Sequence, residues 1–201
     1  IQSGRLNARS LLDLRLENKR KGGWNPFPRT YDEALIESAE RLPEVDGEGE
    51  LTNHRIDLRH LPLVTIDPHD AKDFDDAVCL VEKDGIRTLW VAIADVAHYV
   101  EPDTRLDAAA RARATSVYLP HTVLPMLPPR LADDLCSLRA DVDRLAMVVS
   151  MEIGKDDSIV KCKAYEAVIR VAENMAYEDA LDNPRFAEMF KLADSWQKNE
   201  V

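Results

Sequence analysis

Cysteine is scarce in this sequence: Cys79, Cys136 and Cys162 are scattered over 201 residues. An odd count at wide spacing argues against a disulfide framework and against a zinc site. The three are expected to be small buried hydrophobes in a reducing compartment. Long apolar runs are missing as well. No stretch approaches the roughly 20 residues of a membrane span. The start, Ile1-Gln2-Ser3-Gly4-Arg5, carries no apolar signal core. A cytoplasmic protein without membrane association is the expectation. No methionine opens the sequence, which reads as beginning inside a longer protein. Basic charge is in deficit: 26 Lys and Arg stand against 37 Asp and Glu, a net charge of −11. Taken alone, that argues against nucleic-acid binding. The argument weakens where acids surround a metal, because a bound cation reverses the local sign. Internal repeats and low-complexity tracts are absent. What remains is a globular composition, 45% hydrophobic and 31% charged, long enough for a sizeable core.

Capping signals mark two early helices. Ser10 with Asp13 forms a capping box before a run to Lys21, which Gly22-Gly23 ends. Lys19, Arg20 and Lys21 suit the C-terminal end of its dipole. After breaks at Pro26 and Pro28, Thr30-Tyr31-Asp32-Glu33 forms a second box. Ala34, Leu35, Ala39 and Leu42 then repeat at helical spacing up to Pro43. Glu44–Asn53 is acidic, contains Gly47 and Gly49, and reads as a solvated linker. It divides the chain into a helical segment, 1–53, and a second domain, 54–201.

Beyond the linker the pattern turns to strands. Leu63–Ile66 is short and apolar. Ala77–Val81 and Thr88–Ala94 flank an Asp84-Gly85 turn and predict a hairpin. Leu106–Ala114 is Ala-rich and helical. Leu145–Ile153 and Ile159–Val171 predict a second hairpin around Gly154–Asp157. Tyr177–Leu181 and Arg185–Trp196 read as helices. Strand pairs followed by helices, without β-α-β alternation, give an α+β fold: a mixed or antiparallel sheet with flanking helices.

The segment from Ile66 to Ala77 carries the chemistry. It holds Asp67, Asp70, Asp73, Asp75 and Asp76 between two strand-like runs. A turn between strands brings carboxylates from both of its ends together. In extended backbone, Asp73 and Asp75 share one face and Asp76 takes the other. Crowded carboxylates need a compensating cation or raised pKa values. Oxygen-only ligands select Mg²⁺ or Mn²⁺ over zinc, and such ions serve phosphodiester hydrolysis. An EF-hand loop is excluded. Counting from Asp67 puts His69 and Ala71 at ligand positions, and counting from Asp73 puts Val78 where glycine is required. A nucleotide-sugar site built on Asp73-Phe74-Asp75 lacks an accompanying nucleotide-binding fold.

Ile66–Ala77 resembles the aspartate signature of the ribonuclease II/ribonuclease R superfamily, the RNB catalytic domain. The resemblance extends in order through Asp57–Pro62, Val91–Val100, Thr115–Pro120, Leu124–Pro128, Asp134–Leu138 and Val142–Met147, and fades through Val168–Arg170 and Tyr177-Glu178. It covers the amino-terminal part of such a domain. A later family block, a Ser-Pro followed by arginines, has no counterpart here, and Ala114 stands where the family often has glycine.

The resemblance implies roles residue by residue. Asp67, Asp73, Asp75 and Asp76 match the catalytic aspartates. Asp67 and Asp76 would be direct metal ligands, and Asp73 and Asp75 would position water, a second metal or the RNA end. Asp70 is a turn residue. Tyr118 matches the tyrosine that stacks on the terminal base, and stacking tolerates any sequence. Asp95 and His98 either line the site or are structural. Arg111 and Arg113 either meet phosphates or form a solvated face. His69 either contacts RNA or caps the turn. Trp24, Trp90 and Trp196 are assigned to packing. The implied activity is Mg²⁺-dependent, processive 3′→5′ hydrolysis of single-stranded RNA to nucleoside 5′-monophosphates. A non-catalytic RNA-binding protein on the same fold and a phosphatase of small esters are the rival readings.

Overall fold

The computed structural model describes residues 31–52, 54–119 and 122–199. The helix expected over Ser10–Lys21, the breaks at Pro26 and Pro28, and Trp24 lie outside the described residues. The described residues form two compact units. One joins the residues up to Leu42 with Val100–Pro129; the other joins Pro43–Tyr99 with the chain from Arg130 onward. This partition differs from a division at 53/54, because the chain leaves the larger unit after Tyr99 and re-enters it at Arg130.

In the smaller unit, α1 (Glu33–Glu40) starts at Asp32, whose carboxylate accepts from the Leu35 amide. The cap is thus Asp32 and not Thr30. Elements of the larger unit come next in the chain: α2 (Gly47–Leu51), β1 (Ile56–Asp57), β2 (Val64–Asp67), β3 (Asp76–Lys83), β4 (Ile86–Ala94) and α3 (Val96–Tyr99). The smaller unit resumes with α4 (Arg105–Arg113), capped by the Thr104 hydroxyl, and the ribbon of β5 (Val117–Leu119) and β6 (Thr122–Leu124). Ala114 ends α4 at φ +63°, a left-handed conformation that favours glycine.

The larger unit continues with a π-helical stretch (Arg130–Leu135), β7 (Asp143–Ile153), β8 (Ile159–Arg170), β9 (Glu173–Ala176), α5 (Tyr177–Leu181), a 3₁₀ turn (Pro184–Phe186) and α6 (Ala187–Asn199). Seven strands form one sheet in the order β1-β8-β7-β4-β3-β2-β9. β1 runs parallel to β8 and β2 parallel to β9; the remaining pairs are antiparallel. The fold is α+β with a mixed sheet and flanking helices. Both hairpins form as expected, β3–β4 around Asp84 (φ +54°) and Gly85 (φ +75°).

Helical positions on α6 cover one sheet face. Leu192 packs with Leu89 and Ile153, while Phe186 packs with Val64, Met175 and Ala180. Cys79 and Cys136 are buried, and burial pushes each thiol up to about 12. Cys162 is exposed, contrary to expectation, because it lies in the first half of β8, where every residue from Ile159 to Ala164 is exposed. The acidic stretch expected to be a solvated linker contains α2, whose Gly47 is buried. A Cβ on Gly47 would lie 2.5 Å from the Asp143 carboxylate, so glycine permits this close approach.

Candidate active site

Strand direction gathers the aspartates. β2 and β3 are antiparallel neighbours, so Asp67 at the exit of β2 and Asp76 at the entry of β3 share one end of the sheet. Residues 68–75 connect them without regular structure and place Asp73 and Asp75 between them. His69 and Asp70 are exposed in the turn.

The carboxylates are close enough to repel. Burial raises the pKa of Asp67, and Asp76 and Asp73 raise it further, while the Thr65 hydroxyl opposes the shift. Burial also raises Asp75, followed by repulsion from Asp73, Asp76 and Asp67. Asp67, Asp75 and Asp76 form no ion pair among the described residues. One oxygen of Asp67, Oδ2, is buried without a hydrogen-bond partner. A fifth acid reaches the group: Asp133 is raised by burial and then by Asp73, with Lys72 acting against it. Asp133 lies on the π-helical stretch, distant in sequence, and no local pattern marks it. Among the described residues no three His, Cys, Asp or Glu side chains converge as a metal-ligand group. The donor chemistry nevertheless suits a hard cation. It is all oxygen, uncompensated by basic partners at Asp67 and Asp75, with one carboxylate oxygen orphaned in the interior.

Acids elsewhere at this end of the sheet are neutralised. Asp95 follows β4 and is buried, and its Oδ2 accepts from Arg55 Nη2 at 2.6 Å; the Arg55 side chain is only 6% exposed. Arg55 also bonds Glu50 at 3.1 Å and approaches His98 Nδ1 at 3.5 Å. Asp95 and His98 therefore belong to a structural network. Arg59 joins Asp57, Glu48 and Asp143. Arg144, 2% exposed, donates to the Ser137 carbonyl at 2.8 Å and to Asp134 at 3.1 Å, and Arg130 and Arg139 bond Asp134 as well.

In the smaller unit, Tyr118 lies on β5 with its side chain 64% exposed. Arg113 is buried, stacks 3.9 Å over the Tyr31 ring and donates to the Pro125 carbonyl at 3.0 Å. Arg111 is exposed and pairs with Asp107 at 2.9 Å. Neither arginine is presented as a phosphate contact. In the larger unit, Trp90 is half-buried and stacks on Tyr165. Trp196 packs into the core and donates to the Asp157 carbonyl at 2.6 Å.

The RNB domain family model matches residues 55–183, more than half of the chain. The chain belongs to the RNB domain family. Ribonuclease R of Vibrio parahaemolyticus is 47% identical over 152 residues, which cover 75% of this chain and 18% of that protein. The chain thus spans less than a fifth of that relative's length. Among solved structures, Mycoplasma genitalium RNase R in complex with ribose methylated single-stranded RNA aligns with a TM-score of 0.74 at 29% identity, covering 96% of this chain and 26% of that one. Yeast Ssd1, described as a pseudonuclease, shares the fold with a TM-score of 0.72 at 17% identity, covering 94% of this chain and 24% of that one. Membership of the fold therefore does not assign catalysis; the site residues must. Among the described residues no helix is long and apolar enough to cross a membrane.

Proposed function

We propose that the protein carrying this chain is a Mg²⁺-dependent 3′→5′ exoribonuclease of the ribonuclease II/ribonuclease R type, acting in the cytoplasm. It shortens single-stranded RNA processively and releases nucleoside 5′-monophosphates. The observation that carries the reading is the cluster of Asp67, Asp73, Asp75 and Asp76 at one end of the sheet, mutually repelling and holding a buried, unpartnered oxygen. Sequence similarity to ribonuclease R proteins supports the reaction class, and a relative bound to single-stranded RNA supports the substrate.

Asp67 and Asp76 would hold Mg²⁺, with Mn²⁺ as a substitute; Asp73 and Asp75 would orient water or the RNA end. When bound, such an ion neutralises phosphate charge and lowers the pKa of a water. The chain's own contribution is orientation. The two antiparallel strands hold the outer carboxylates at one end of the sheet, where the ion pairs of Arg55 and Arg144 neutralise other acids. The exposed ring of Tyr118 offers a stacking surface for a terminal base, which needs no particular sequence.

The test uses full-length protein, RNA labelled at the 5′ end, and Mg²⁺. A ladder of products shortening from the 3′ end, with nucleoside 5′-monophosphates released, is the expected result. Binding without shortening would move the assignment to an RNA-binding protein on the RNB fold. Turnover of a small phosphate ester with no action on RNA would move it to a phosphatase.

A further inference from the structure

Residues 72–74 have no strand or helix to hold them, and Asp73 lies close enough to Asp67 and Asp75 to act on both carboxylates. One buried hydroxyl holds this stretch. Ser137 is fully buried. Its Oγ donates to the Lys72 carbonyl at 2.6 Å and accepts from the Phe74 amide at 3.3 Å. These two groups belong to the peptide units immediately before and after Asp73. The Leu138 amide adds a bond to the Phe74 carbonyl at 2.9 Å. We propose that Ser137 is a positioning residue for the aspartate cluster, fixing the backbone of Asp73 through both flanking peptide groups. The inference rests on the nuclease reading above.

Ser137 is itself held in place. Its amide donates to the Asp134 carbonyl at 2.9 Å, and its carbonyl accepts from the Arg139 amide and from Arg144 Nε, both at 2.8 Å. Asn174 ties the same segment to the strand that ends in Asp67. Its Nδ2 donates to Thr65 Oγ1 at 2.9 Å and to the Leu138 carbonyl at 3.0 Å, and its Oδ1 accepts from the Ala140 amide at 2.8 Å. The segment from Asp134 to Ala140 is therefore a brace between β2 and the aspartate loop. A side chain that must donate and accept at once, in a space with no solvent, has few alternatives to serine. Alanine supplies neither bond, and cysteine keeps the size but bonds weakly.

The experiment measures Mn²⁺ affinity by titration calorimetry on full-length protein well below its melting temperature, beside RNA cleavage. Wild-type protein should bind Mn²⁺ and shorten RNA. Ser137→Ala should bind Mn²⁺ about tenfold more weakly, the usual scale for a residue that orients metal ligands. In an Asp73→Asn background, Ser137→Ala should change Mn²⁺ affinity little further, because the two act as one unit. Ser137→Cys keeps the packing and supplies the reading if the alanine variant does not fold; it too should weaken Mn²⁺ binding. Unchanged Mn²⁺ affinity in the folded variant, with only a lowered melting temperature, would overturn the positioning role while leaving the nuclease reading intact. Equal losses of affinity with and without Asp73 would also overturn it. Wild-type protein that neither binds Mn²⁺ nor cleaves RNA would remove the nuclease reading and this inference together.

Discussion

Burial raises the pKa of Asp75, three neighbouring carboxylates raise it further, and no basic group counters them. Its replacement by asparagine removes one charge and keeps the shape. Asp75→Asn is therefore expected to abolish RNA shortening while leaving RNA affinity within about threefold, which is less than 1 kcal/mol. Cleavage gels run beside a filter-binding titration check both halves, and a fully active or unfolded variant would count against the role. Tyr118 makes a separate case. With its ring exposed, Tyr118→Ala is expected to cost the fold little and to weaken the hold on terminal nucleotides by about 1–3 kcal/mol. The lengths of the final products report this, and unchanged lengths would exclude stacking at that ring. Asp95 lies near the aspartates in sequence order and at the same end of the sheet, but its partner decides its use. Both Asp95 and Arg55 are buried, so Asp95→Ala leaves a cation only partly compensated by Glu50. A stability loss of about 3 kcal/mol is expected in chemical denaturation.

At the scale of elements, alternation and turn chemistry made the two hairpins legible. Ala77, Cys79 and Leu89 fall on inward positions, and Asp84-Gly85 adopts the positive φ values that a tight turn requires. The aspartate loop was legible because its acids are local in sequence. The brace was not. Ser137 reaches the loop across 65 residues, and Asn174 links Thr65 and Leu138 across 109 and 36; their residue types carry no pattern of their own. Short α2 and the π-helical stretch escaped as well: α2 is a five-residue helix with two glycines, and Arg130 of the π-helical stretch pairs with Glu44 across 86 residues. Helix α4 shows the opposite situation, a local rule broken. Ala114 holds a left-handed φ of +63° with a Cβ attached. Ala114→Gly is expected to stabilise the protein by about 1 kcal/mol, read as a shift in denaturation midpoint without a change in slope. A destabilised glycine variant would mean that the Ala114 methyl contributes more than the strain costs.

The whole molecule distributes its negative charge unevenly in its effects. Around Arg55, Arg59, Arg144 and Arg170, acids and arginines interlock across β1, β8, β7 and β4. Toward β2 and β3, at the same end of the sheet, Asp67 and Asp75 lack any such partner. Their folded pKa values are raised, so their protonated forms are favoured in the native state. For a raised carboxyl, the stability contribution is fully present below the unfolded value of roughly 4 and is lost as pH rises through the folded value. At neutral pH the cluster thus opposes folding, and any cation that binds it in the native state alone reverses the cost. Without divalent ions, melting temperature is expected to rise on mild acidification through this window, as far as these two groups decide it. At pH 7, Mg²⁺ at a hundred times its dissociation constant should stabilise the protein by about 2.7 kcal/mol, and EDTA should remove the gain. Asp67→Asn should raise the metal-free melting temperature and abolish most of the Mg²⁺ response. A wild-type melting curve indifferent to Mg²⁺, Mn²⁺ and EDTA would mean that these carboxylates do not share an ion. The acidic end of the sheet would then need another explanation.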